Sequence, residues 1–127
     1  MISVADREKF DLLLEAALDA LPPQLLELLD ESPLIVDDEP SEEILRQMEI
    51  GDDGELLGLH SGIAMTDRSV EHSGVLPEEI RLYRGPILRV TRGRTRALRE
   101  QIRITLLHEI GHHFGLDEDD LDDLGYG

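Results

Sequence analysis

The stretch Leu107-His108-Glu109-Ile110-Gly111-His112-His113-Phe114-Gly115 decides how the rest of this chain is read. It sets two histidines four residues apart in a segment with helical patterning, so they stand about 40° apart on one helix face, one turn above the other. Two imidazoles so spaced can reach one ion, and H-E-x-x-H on a helix is a zinc-site pattern with its glutamate as candidate base. Bound zinc lowers the pKa of water to about 7 and polarises a carbonyl. Glu109, beside the first ligand, is positioned to take the proton from that water. Gly115 offers a left-handed stop that turns the chain back toward the ion. His113 falls about 100° round from His112 and points away from the metal face.

The plain alternative is a surface helix with two solvated histidines. Ile102, Ile104, Leu106, Leu107, Ile110 and Phe114 argue against it, because they cover most of the circumference and predict a buried, central half-helix. Burial on that scale would hold His108 and His112 rigidly, as a catalytic site requires. The first half of the helix, from about Arg96, carries Arg96, Arg99 and Arg103 on one face, with Thr95 as candidate cap. An arginine cluster between Arg94 and Arg103 invites a nucleic-acid reading. The acidity of the chain and the lack of interleaved aromatics favour a solvated face pairing with nearby acids.

The chain has 127 residues, which predicts a single domain over residues 1–127. It has no cysteine, so no disulfide contributes. No apolar run is long enough for a bilayer, and the start lacks a basic region followed by an apolar stretch, so the expected location is cytoplasmic. Twenty-nine acids against 12 bases give a net charge of −17. That field repels phosphate backbones and anionic lipid, so neither nucleic acid nor membrane is expected as a partner.

Upstream, Ser3 is a candidate cap for a first helix with Phe10, Leu13, Leu14, Ala17, Leu18 and Leu21 on one face. Pro22-Pro23 ends it and suits the start of a second helix carrying Leu25, Leu26, Leu28 and Leu29, up to about Asp30. The pair reads as a layer covering a sheet. Leu34-Ile35-Val36 reads as a buried strand, and Asp37 to Pro40 as an acidic loop. Ser41 caps a short helix through Met48 with Ile44, Leu45 and Met48 inward. Leu56 to His60 reads as a second strand, with Gly58 marking close backbone approach or a bulge. Residues 61–77, with His72, read as a long loop bordering the cleft. Glu79 to Tyr83 alternates as a third strand, Gly85-Pro86 interrupts, and Ile87 to Val90 is ambiguous between strand and helix.

His108-Glu109-x-x-His112-x-x-Gly115-x-x-Glu118 is similar to the extended signature of the zincin metallopeptidases. The acidic, leucine-rich N-terminal helix, Leu82 to Pro86 (Leu-Tyr-Arg-Gly-Pro) and Leu107 to Leu116 make nearly the whole chain resemble the minimal zincin-like family of bacterial metallopeptidases. The resemblance implies an α+β domain: a short mixed β-sheet packed against a backing helix and a central active-site helix. It implies one zinc on His108, His112 and an acidic third ligand, usually Asp, with Glu118 at that place here. It implies hydrolysis of peptide bonds by a zinc-activated water, on a peptide or protein substrate that remains unspecified. A catalytically inactive binding or regulatory protein of the same fold is the first alternative, since only 12 residues follow Gly115 to wall a cleft. A metal-dependent RNA hydrolase is the second, disfavoured by charge.

The acidic tail offers Asp117, Glu118, Asp119, Asp120, Asp122 and Asp123 as third ligand. Asp117 and Asp120 fit the cap and N3 positions of a short C-terminal helix, with Leu116 stapled to Leu121. Glu118 then stands at the first helical position, free to return to the metal, with Asp120 second choice. Candidates for stabilising the oxyanion are Tyr83, Tyr126, His60 and His72.

Overall fold

The computed structural model describes residues 2–51, 54–61, 79–116 and 119. Ser3 opens α1 (Val4–Asp19), its hydroxyl accepting from the Asp6 amide at 3.1 Å. This satisfies one of the N–H groups that a helix start leaves without a partner. Pro22 and Pro23 break the chain and begin α2 (Pro23–Glu31), since proline lacks only a donor that the first turn does not use. The strand β1 (Leu34–Asp37) follows, then α3 (Glu42–Gln47), with Ser41 accepting from the Ile44 amide. Met48, expected inward, is 46% exposed, because the helix has ended one residue earlier.

The second and third strands are β2 (Gly58–Ser61) and β3 (Glu79–Tyr83). The sheet has the order β1-β3-β2, with β1 parallel and β2 antiparallel to β3. The fold is mixed α+β, five helices and a three-stranded mixed sheet among the described residues. The strand β1 is half-buried along its length rather than buried, as befits an edge. The strand β3, central, alternates: Ile80 and Leu82 enter the core, while Glu79 and Arg81 face the other way.

Gly85-Pro86, read as an interruption, instead lies in the first turn of α4 (Arg84–Thr91). This settles the ambiguity of Ile87 to Val90 as helix. Proline is tolerated there because its missing N–H has no intrahelical partner to lose. The Gly85 amide donates to the Asp38 carbonyl at 2.8 Å, and a side chain at Gly85 would strike Glu39 and that same backbone.

The long helix α5 (Thr95–His113) crosses behind the sheet. Its cap residue is Arg94, so Thr95 is its first helical residue and not its cap. Leu98, Ile102, Leu106 and Ile110 are essentially inaccessible and meet Phe10, Leu14, Leu25, Ile80, Leu82 and Ile87 in one core. Each fully buried side chain of this kind stabilises by about 1.5–3 kcal/mol. Of the apolar residues predicted to enclose the second half, Ile102, Leu106, Leu107 and Ile110 are buried and Phe114 is half-buried, while Ile104 is 42% exposed. Ile104 lies one turn before the sector that Leu107 and Gly111 bury. No helix among the described residues is long and apolar enough to cross a membrane. The expected C-terminal helix, and the loop with His72, lie outside the described residues.

Candidate metal centre

His108 and His112 occupy successive turns of α5, and both side chains are exposed while their neighbours Leu107, Ile110 and Gly111 are buried. Their rings stack side by side, centroids 5.0 Å apart and 30° between planes. The two imidazoles therefore project together from a helix that the core holds through Leu98, Ile102, Leu106, Leu107 and Ile110. The donor chemistry fits zinc: two nitrogen ligands, side by side, at the surface end of a packed helix.

Glu109, half-buried, lies against β2. The contact depends on Gly58. A Cβ at that position would stand 2.9 Å from Glu109 Cγ, 3.0 Å from Thr105 Cγ2 and 3.0 Å from the Arg81 carbonyl oxygen. Glycine thus lets β2 run directly under the candidate base. Thr105, buried one turn earlier, accepts from Gln101 Nε2 at 3.0 Å. Gln101, Thr105, His108, Glu109 and His112 follow one another at i, i+3 and i, i+4 spacing and form one polar stripe along α5. The sequence reading passed over Gln101 and Thr105; their i, i+4 spacing with the motif was the available signal.

The helix stops where Gly115 predicts. Its φ is 70°, in the left-handed region, and the Leu116 amide donates back to the Gly111 carbonyl at 2.7 Å. With Phe114 as C-cap, this is the glycine-terminated motif in which two late carbonyls recover donors. His113 points away from the pair, as read: it is fully buried and shares a 2.9 Å hydrogen bond with Ser32 at the end of α2. That bond ties α2 to the end of α5.

Glu118, Asp117, Asp120 and Tyr126 lie outside the described residues. Asp119 is exposed, and among the described residues no three His, Asp or Glu side chains stand together to hold an ion. His60 stands opposite Ile80 in the β2–β3 register. Tyr83 is 1% exposed, and strand alternation puts it on the Arg81 side of β3, with the α5 core on the other. The structure therefore does not bring Tyr83 to the histidines.

The sequence profile of the zincin-like metallopeptidases matches residues 29–127. The chain belongs to that family. The match spans every described element from the end of α2 to the end of α5, including the whole sheet and the histidine pair. Comparison with curated proteins gives no match. The zincin-like chain carries its motif on α5, which packs against α1, α4, β2 and β3.

Proposed function

We propose that this zincin-like protein is a zinc-dependent peptidase whose machinery is His108, Glu109 and His112. The observation that supports this reading is the side-by-side pair of exposed imidazoles with Glu109 pressed against β2. Zinc, when bound, supplies Lewis acidity that lowers the pKa of water and polarises the scissile carbonyl. His108 and His112 hold the ion, and Glu118 from the acidic tail is the proposed third ligand. The Glu109 carboxylate accepts a proton from the attacking water and hands it to the leaving amine. The placement of its stem against Gly58 of β2 orients it, so little side-chain freedom is lost when substrate arrives. Burial of Tyr83 favours Tyr126 of the two tyrosines as oxyanion donor.

The test is metal content and peptide cleavage in matched variants. His112→Ala is expected to lose zinc. Glu109→Gln is expected to keep zinc and lose hydrolysis, by about 100-fold or more, because an amide takes no proton. Glu118→Ala should weaken zinc at least about tenfold, while Asp120→Ala should mainly lower stability by about 1 kcal/mol. Zinc binding without cleavage of any peptide in a broad library would replace the peptidase reading with a non-catalytic zincin-like binding protein.

A further inference from the structure

Residues 92–103 hold five arginines, Arg92, Arg94, Arg96, Arg99 and Arg103, against one acid, Glu100: a net +4 within a chain of −17. With so many acids available, each of these arginines is expected to find a carboxylate. Four described arginines elsewhere do so, while Arg46 on α3 makes no ion pair among the described residues. Arg7 and Arg84 share Asp38, Arg84 also takes Asp11, Arg81 takes Asp37 and Glu79, and Arg89 grips Glu39 and Glu55. In this segment only Arg103 forms a salt bridge, with Glu100 at 3.3 Å. Arg92, Arg94, Arg96 and Arg99 are all exposed and make no ion pair among the described residues.

The four arginines follow one another closely along an exposed stretch, from the end of α4 through the first turns of α5. Arg92 ends α4, Arg94 caps α5, and Arg96 and Arg99 lie three apart on one helix flank. The turn that presents them is anchored from below, because Lys9 of α1 donates to the Gly93 carbonyl at 2.5 Å. Arg92 also holds a left-handed backbone position, φ 55°, where glycine would sit without steric cost. A side chain is kept there although the backbone would be easier without it.

We propose that this arginine face is a docking surface for an acidic polypeptide segment. Guanidinium forks match carboxylates two-pronged, as Arg84 on Asp11 and Arg89 on Glu39 already do in this molecule. A nucleic acid fits less well. Phe10 and Tyr83 are buried and Phe114 is half-buried at the far end of α5, so no described aromatic offers a base a stacking face on this surface. A long polyphosphate would also run off the small positive face onto the acidic remainder of the surface, while a short run of carboxylates stays within it. The inference does not depend on the peptidase reading.

The test is fluorescence anisotropy of the full chain with a labelled oligoglutamate peptide, beside oligothymidylate and phosphatidylserine vesicles. Peptide binding is expected at about 50 mM salt and should weaken at least about tenfold by about 300 mM. Combining Arg92→Gln, Arg94→Gln, Arg96→Gln and Arg99→Gln should reduce affinity about tenfold or more, while Arg46→Gln on α3 leaves it unchanged. Melting curves check folding, and the Arg96→Gln, Arg99→Gln pair, which keeps good helix formers, serves if the fourfold variant unfolds. Absence of peptide binding at low salt, binding indifferent to the arginine substitutions, or tighter binding to oligothymidylate or to vesicles would each overturn the proposal.

Discussion

Tyr83 carries its hydroxyl into the protein interior with no hydrogen-bond partner among the described residues. Burial pushes its phenol pKa up, as it does for any acid whose charged form loses water. A buried hydroxyl that makes no bond has lost its hydration without recompense. Tyr83→Phe is therefore expected to leave stability unchanged or raise it by about 1 kcal/mol, read from the midpoint of urea unfolding. A loss of similar size would show that the hydroxyl is bonded in solution. The same variant should leave peptide cleavage intact, since Tyr83 faces away from α5. His113 puts a buried polar atom to structural use: its Nε2 shares a hydrogen bond with the Ser32 hydroxyl, and the side chain becomes a strut between α2 and α5.

Two elements, β2 and α5, make the candidate site together, and Gly58 is where they meet. A methyl group there collides with the Arg81 backbone as well as with side chains, so the strand itself has to move. Gly58→Ala should destabilise by about 1–3 kcal/mol, the usual effect of overpacking. It should also depress cleavage beyond what the lost stability explains, because Glu109 shifts with the strand. Full activity in a folded Gly58→Ala protein, measured well below its melting temperature, would show that Glu109 is positioned by something other than β2. Residue preference alone makes Pro86 a breaker and Thr95 a cap, yet each sits in a first helical turn. Both positions tolerate those residues, and the packing of Ile87 and Leu98 into the core selected the helical frame.

Across the whole molecule, the acidic run Asp37-Asp38-Glu39 is not a free loop but the receiving side for Arg81, Arg7, Arg84 and Arg89. Exposed pairs of this kind contribute less than about 1 kcal/mol each. Arg89 also binds Glu55, and that hydrogen bond holds the Glu55 carboxyl below its usual range. A carboxylate lowered by folding stabilises the native state above its unfolded pKa and loses that effect as pH falls through the folded value. Melting temperatures from about pH 7 to about pH 3 should therefore fall less steeply in Glu55→Gln than in the parent chain. An unchanged acid slope would mean that the Arg89–Glu55 contact is too screened to matter. Local features are legible along the chain: the caps at Ser3 and Ser41, the strand Glu79–Tyr83, the stop at Gly115, and the spacing that stacks His108 on His112. Each follows from dihedral preference or periodicity over a few residues. Packing between distant segments sets the rest: β2 passes beneath Glu109, Tyr83 turns from the site, and one group of arginines lacks carboxylates among the described residues. Those are distances between segments remote in the chain, and periodicity along one segment carries no information about which other segment will lie beside it.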